Sequence, residues 1–365
     1  MASLPTLVVD TQSCSAHNAL FADPARPCPP SVLDVPARTD PILRSIAGLL
    51  ASHGLARVVE RSARVAVASA AFDASVGDAY WDHCNVLVAA ARADPKGYVW
   101  LDADHTTVVS ADSLKWALRA AGCLVEAVAL ALKDGTNVYA LYRPPGHHNS
   151  SNEDLEQSWD QEEGRPGNFV FGAHGGCLLP NIPIALRTAR QGYRRRGEAS
   201  VSSEASSGIA DATDDSSHAS SHVGNHASID AAGAADASTA ADTATGTTAA
   251  ADASADASAA PLRPLRPLRA VVVDLDAHFG DGTAMQFWED HDVLTLSMHL
   301  DQHEGNFFPF LQGGADECDN PLYGGAMLNL PLPAGAGDAE ALAALRGVMG
   351  RCVSFAPDIV VIACG

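Results

Sequence analysis

The chain has 365 residues, 47% of them hydrophobic, which is enough to bury the core of one large domain or two ordinary ones. Its formal net charge of −21 argues against nucleic-acid backbones and anionic membranes as its main partners. Part of this charge is local, because residues 197–260 carry ten acidic side chains and no Lys or Arg.

Before residue 197 the sequence shows a helix pattern followed by a strand pattern. The stretch SADSLKWALRAAGCLVEAVALAL has apolar residues at helical spacing and predicts a helix with Ser110 as its N-cap. The next stretch, NVYALYRPP, predicts a strand that runs into a loop.

Residues 197–260 form a low-complexity segment. They are mostly Ala, Ser, Thr and Asp, so they bury too little apolar surface to offset the entropy of ordering. The sequence therefore predicts one discontinuous domain, residues 1–196 and 261–365, interrupted by a disordered acidic insert.

After the insert, strand and helix patterns alternate. The predicted elements are a strand over Ala270–Asp276, a helix near Thr283–Glu289, a strand in VLTLSMH, a helix over Asp338–Ser354 and a strand in DIVVIACG. Strands separated by helices predict a three-layer α/β fold, in which helices cover both faces of a mostly parallel sheet. Functional sites in such sheets form at the carboxyl ends of the strands.

The stretch VVVDLDAHFGDG begins as a buried strand, yet it carries Asp274, Asp276 and His278 at every second position. Strand alternation would place all three on one face. Buried carboxylates need a partner, and a cation held by two oxygens and one nitrogen would suit zinc or ferrous iron. The alternative is an exposed strand end whose acids face water, and spacing alone does not separate the two interpretations.

A second feature is RPPGHHNSSN, in which His147 and His148 follow the predicted strand. Histidine suits general acid–base catalysis, and two neighbours can hold different protonation states if each has its own carboxylate. Taken alone, however, the pair is more typical of a surface loop with incidental histidines.

The two features occur together with a third, GDGT from Gly280, each at a predicted strand end. In this order, RPPGHH, DLDAH and GDGT resemble the histone deacetylase family, which includes acetylpolyamine amidohydrolases. The resemblance extends through GGCLLPNIPIA, LTLSMH, NFFPF and LNLPLPAGAGDAE. It implies an arginase-like topology and zinc-dependent hydrolysis of an acetyl-amide, in acetyl-lysine or in an acetylated polyamine.

The resemblance also implies roles for individual residues. The catalytic set would be two histidines with their carboxylate partners, His147 with Asp274 and His148 with Asp281. Asp276 and His278 look like zinc ligands, with ferrous iron as the alternative metal.

Further roles concern the substrate and a structural cation. Gly175 would offer its carbonyl to the substrate amide, and Phe308 would form one wall of the acyl-lysine tunnel. Ser297, together with groups of Asp274, Asp276 and His278, resembles the family's structural potassium site.

The sequence departs from the family pattern at several places. Gly176 stands where the family usually has the second tunnel aromatic, and Phe279 stands where it usually has His or Gln. An acidic stretch over residues 153–163 would attract cationic substrates if it lies at the tunnel mouth, or it is a solvated loop without function.

The sequence ends at IVVIACG, where the family continues with a glycine, an aromatic residue and the Asp that is its third metal ligand. The tyrosine that stabilises the tetrahedral intermediate would follow. We therefore expect the fold to be incomplete at its C-terminus and the 365-residue chain itself to be a poor catalyst.

Two functions remain open at this stage. The histidines and their partner carboxylates favour a metal-dependent deacetylase, whereas the absent third ligand favours a non-catalytic deacetylase-like binding protein. The expected partner is an acetylated lysine side chain or an acetylpolyamine, with no direct nucleic-acid binding and no membrane. Eight scattered cysteines and the lack of a signal sequence or an apolar run of about 18 residues predict a cytoplasmic or nuclear protein.

Overall fold

The structure is a computed structural model in which many, but not all, residues are described. These are residues 6–9, 45, 48–49, 52–54, 57–60, 64–67, 69–101, 106–150, 172–192, 266–301, 313–317 and 327–364. All of them belong to one unit, formed from residues 1–198 and 266–365. The predicted insert lies outside the described residues, so its disorder and the predicted domain boundaries stay predictions.

Helices and strands alternate through much of this unit. Its strands are β1 (Thr6–Val9), β2 (Arg57–Glu60), β3 (Tyr98–Trp100), β4 (Val108–Ser110), β5 (Val138–Leu141), β6 (Ala270–Asp274), β7 (Val293–Leu300), β8 (Met327–Leu332) and β9 (Ile359–Ala363). Among the described residues, the helices with defined bounds are α1 (Ala70–Val76), α2 (Asp78–Ala93), α3 (Ser113–Asp134), α4 (181–192), α5 (Asp281–Gln286) and α6 (Asp338–Ser354).

The strands that follow the insert form one parallel sheet, in the order β8-β7-β6-β9. A second parallel sheet has the order β2-β1-β5, and β3 pairs with β4 antiparallel. Strand β6 lies between β7 and β9, with Asp274 in register with Ser297 and Ala363. The last residue of β6 is therefore flanked by polypeptide on both sides, which limits the directions open to its side chain.

Both faces of β6 are covered, as expected for a parallel sheet. Val272 packs on one face in a cluster with Leu124 of α3 and Ile182 of α4. Val271 packs on the other face in a cluster with Cys352 of α6. This arrangement agrees with the predicted three layers. Among the described residues, no helix combines the length and apolar character that crossing a bilayer requires.

Two predicted helix starts differ from those in the structure. Ser110 is not the N-cap of α3, because it is the last residue of β4 and the N-cap is Asp112. The Ser110 backbone N–H donates to the Ser113 hydroxyl at 2.9 Å, which holds the chain in a turn between strand and helix. Helix α5 begins two residues before the predicted Thr283 and ends three residues before Glu289.

Candidate active site

The turn after β6 carries the predicted metal ligands. The strand ends at Asp274, so the prediction of a strand reaching Asp276 is wrong by two residues. Instead, the Asp276 N–H donates to the Asp274 carboxylate at 3.0 Å, and the His278 N–H donates to the Asp276 carboxylate at 2.7 Å. Aspartates commonly hold turns through such bonds to backbone two residues ahead. The turn leaves the Asp276 carboxylate 2.9 Å from His278 Nδ1. The two predicted metal ligands are therefore brought together by a turn and not by the alternation of side chains along a strand.

The loop that carries the tandem histidines is docked against the start of α5. The Thr283 N–H donates to the His147 carbonyl at 3.0 Å. Gly282 lies so close to the Asn149 backbone that any Cβ there would overlap it. Glycine at this position therefore permits the close approach of the two chain segments.

Each tandem histidine is paired with the carboxylate that the resemblance implies. His147 Nδ1 lies 2.8 Å from an Asp274 oxygen, and His148 Nδ1 lies 2.6 Å from an Asp281 oxygen. The two ring centroids are 3.9 Å apart. If each ring donates through Nδ1, its Nε2 is left for exchange of a proton with a substrate.

The two rings are held in opposite protonation states. Burial lowers the pKa of His147, but the charge of Asp274 and the hydrogen bond to it outweigh burial and raise this pKa to about 9. Burial also lowers the pKa of His148, the charge on His147 lowers it further, and the result is about 4. At neutral pH, His147 is therefore a cation and His148 is neutral, which suits one for donating a proton and the other for accepting one.

Sequence reasoning missed His174. Its Nε2 lies 2.7 Å from the second oxygen of Asp281, so this carboxylate is shared by two imidazoles. The His174 side chain is only 8% exposed and the Asp281 side chain is fully buried. Burial raises the pKa of Asp281, but electrostatic attraction to His174 and His148, together with a hydrogen bond from each, outweighs burial and holds this pKa well below its usual range. A lone histidine next to a glycine pair gives no signal in the sequence.

The protonation states of the tandem can be measured in metal-free protein. In a ¹⁵N-histidine NMR titration, we expect His147 to lose its proton only near pH 9 and His148 to gain one only near pH 4. In Asp274→Asn the carboxylate charge is gone while burial remains, so the pKa of His147 should fall below 6.5. Two rings that titrate together near 6.5 in the unmodified protein would contradict this prediction.

Comparison with known proteins shows which family the chain belongs to. The family model described as histone deacetylase domain matches residues 47–197 and 211–365. The chain belongs to the histone deacetylase family.

Individual relatives resemble the chain over a shorter stretch than the family model does. Histone deacetylase clr3 of Schizosaccharomyces pombe is 38% identical over 100 residues, which are 27% of this chain and 14% of that protein. Histone deacetylase 8 of Arabidopsis thaliana is 36% identical over 98 residues, which are 27% of this chain and 26% of that protein. The matched stretch is thus about a quarter or less of the length of either relative.

Solved structures of the family match nearly the whole chain. The crystal structure of the HDA15 HD domain has a TM-score of 0.59 and 21% identity, and the match covers 98% of this chain and 73% of that one. Acetylpolyamine aminohydrolase from Burkholderia pseudomallei has the same TM-score and identity, with 98% and 81% coverage. These matches confirm the predicted deacetylase-like α/β fold.

The histone deacetylase family implies a zinc ion, and two residues here fit such an ion. The Asp276 carboxylate and His278 Nδ1 converge, and their side chains are 17% and 37% exposed. In tetrahedral zinc sites, nitrogen and oxygen ligands lie roughly 3.3 Å apart, which is close to the 2.9 Å found here. Within the part of the chain that the structure describes, no third His, Cys, Asp or Glu joins these two at ligating distance.

A different group of described residues brings three potential metal ligands close together. The ligand atoms of His148, His174 and Asp281 all lie within 4.8 Å of one another. Their separations of 2.6 and 2.7 Å are those of charge-assisted hydrogen bonds, with each Asp281 oxygen taking one ring N–H. We therefore interpret this group as a hydrogen-bond network.

The predicted structural-cation residues are brought together in part. Asp274 and Ser297 line a small cavity of about 10 Å³ between β6, β7 and α5. Asp276 and His278, which the resemblance also implies there, are not among its lining residues. The role of this cavity as a cation site stays a prediction.

The loop that carries Gly175, a predicted substrate contact, is anchored through its backbone. The N–H groups of Gly175 and Gly176 donate to the hydroxyls of Thr106 and Thr107 at 2.9 and 3.0 Å. Among the described residues, none beyond its chain neighbours lies within 4 Å of a Cβ placed on Gly176, the position at which the sequence predicts a departure from the family pattern. Phe308 and the acidic stretch over residues 153–163 lie outside the described residues, so their roles, like that of Gly175, stay predictions.

Proposed function

We propose that the protein is a zinc-dependent deacetylase that hydrolyses the acetyl-amide of acetyl-lysine or of an acetylated polyamine. The observation that carries this proposal is the tandem His147–His148, in which each ring has its own buried carboxylate and the two pKa values move in opposite directions. Membership of the histone deacetylase family supports the same reaction.

The chain's own residues divide the work of hydrolysis. Asp276 and His278 would hold the zinc ion, which when bound supplies Lewis acidity toward the amide carbonyl and toward water. His148, neutral at pH 7, accepts the proton of the attacking water at Nε2. His147, charged at pH 7, donates its Nε2 proton to the leaving nitrogen, so that the amide and water become acetate and a free amine.

The carboxylates keep the two rings in these roles. Asp274 accepts from His147 and stabilises its positive charge, while Asp281 accepts from His148 Nδ1 and fixes the tautomer in which Nε2 is the proton acceptor. A base and an acid prepared in advance need little reorganisation during the reaction.

The substrate class follows from charge and from the relatives. The net charge of −21 favours cationic substrates, such as lysine-rich tails or polyamines. Similar proteins are named histone deacetylase and acetylpolyamine aminohydrolase, so both substrate types belong to the proposal. A cytoplasmic or nuclear location is proposed from the eight scattered cysteines, which suit free thiols in a reducing compartment.

The test is acetate release by the full gene product, meaning the protein with every residue that its gene encodes, including any after Gly365. We expect release from an acetyl-lysine peptide or an acetylated polyamine that disappears with a chelator and returns with zinc. A protein that binds zinc and acetylated peptide but releases no acetate from either substrate would instead support the non-catalytic binding protein.

A further inference from the structure

His174 takes no part in the proposed proton transfers, yet it contacts Asp281, the carboxylate partner of the general base His148. Asp281 places one oxygen 2.6 Å from His148 Nδ1 and the other 2.7 Å from His174 Nε2. The ring centroids of His148 and His174 are 5.3 Å apart, so the two imidazoles flank the same carboxylate without stacking on each other.

The second hydrogen bond changes what Asp281 can do. A carboxylate held at one oxygen can rotate about its terminal torsion, because that torsion has a broad energy profile. A donor on each oxygen fixes the plane of the group, and with it the direction from which His148 is held. Asp281 is fully buried, so it also needs more than one donor to offset the loss of water.

The position of His174 is itself well determined. The chain on either side is tied to neighbouring segments, by a β-bridge between Ala173 and Asn149 and by the Gly175 N–H, which donates to the Thr106 hydroxyl. The Cys177 N–H donates to the His174 carbonyl at 3.0 Å, which closes a turn around the glycine pair. Because the backbone is anchored on both sides, the His174 ring can hold the Asp281 carboxylate in one orientation.

We infer that His174 is a positioning residue, which holds Asp281 and thereby keeps His148 in the orientation and tautomer that proton transfer requires. This inference rests on the proposed function. It also links the Gly175 loop, the predicted contact of the substrate amide, to the general base.

Two substitutions separate this role from simple packing. His174→Leu removes the ring N–H, whereas His174→Gln places an amide N–H at a similar reach toward Asp281. In the full gene product, we expect His174→Leu to lower kcat by about 10- to 100-fold, as for other orienting partners, with little change in KM. His174→Gln should recover most of the lost kcat. Equal impairment of both variants, or an unimpaired Leu variant, would overturn the inference.

A double-mutant cycle tests whether His174 acts through His148. Once His148→Ala has removed the base, adding His174→Leu should cost no further activity, since residues that act as one unit are not additive. A full additional loss in the double variant would show that His174 acts by another route and would overturn the inference.

A measurement without turnover keeps the inference separate from the proposed function. In ¹⁵N-histidine NMR of chelator-treated protein, we expect His174 as the Nε2–H tautomer, His148 as the Nδ1–H tautomer, and a downfield Nδ1 proton on His148 that weakens in His174→Leu but persists in His174→Gln. An inactive protein with this spectrum would refute the deacetylase proposal and support the positioning contact. The opposite tautomer of His174, or a second zinc ion that His174→Leu removes, would overturn it.

Discussion

In the full gene product, replacing His148 by Ala is expected to lower kcat for deacetylation by about 10²–10⁴-fold, the usual contribution of a general base. The neutral ring is the proton acceptor in the proposed mechanism, and its pKa of about 4 keeps it available at neutral pH. Zinc content should be unchanged, because His148 Nδ1 is engaged with Asp281 and the ring is not one of the proposed ligands. Steady-state kinetics with acetyl-lysine peptide, together with elemental analysis, measures both effects.

Replacing the exposed His83 by Ala gives a matched control, since it removes an imidazole on α2 outside the site. It should leave kcat and zinc content at their original values. Near-normal turnover in His148→Ala would show that the tandem has been assigned wrongly. Loss of zinc together with turnover would move His148 from the base to the metal site.

The predictable part of the fold is the part in which local pattern and burial agree. Helix α6 was predicted with the bounds that the structure shows, and β6 and β7 were predicted to within two residues. The errors lie where one side-chain bond decides the boundary. Hydrophobic pattern alone cannot show that the Asp274 carboxylate ends β6 by accepting from the Asp276 N–H.

The candidate site was predictable where residues lie in motifs and not elsewhere. The pairing of His148 with Asp281 joins two motifs that the resemblance had already connected. The contact between His174 and Asp281 spans 107 residues, and nothing local to either residue indicates it. The opposite pKa shifts of His147 and His148 also depend on burial and on neighbouring charges, which only the folded chain provides.

The second large effect concerns the metal ion. In the full gene product, His278→Ala should abolish both zinc binding and deacetylation. The ring Nδ1 and the Asp276 carboxylate lie 2.9 Å apart and are the proposed ligands. Loss of a direct ligand should weaken zinc affinity by more than about 100-fold, since even outer partners of ligands contribute 10- to 100-fold. The turn should survive, because the bond to Asp276 comes from the His278 backbone N–H, which Ala retains.

Elemental analysis of equally dialysed samples decides this prediction, with circular dichroism to show that the variant is folded. The informative comparison is with His148→Ala and His174→Leu, which should keep their zinc while losing turnover. The three variants thereby distinguish the half-exposed pair Asp276–His278 from the buried group His148–His174–Asp281, the other arrangement that could hold an ion. Unchanged zinc in His278→Ala, with zinc lost in His174→Leu, would place the metal in the buried group. Zinc lost only in His278→Ala, by contrast, would place the ion beside the tandem histidines, where the proposed hydrolysis needs it.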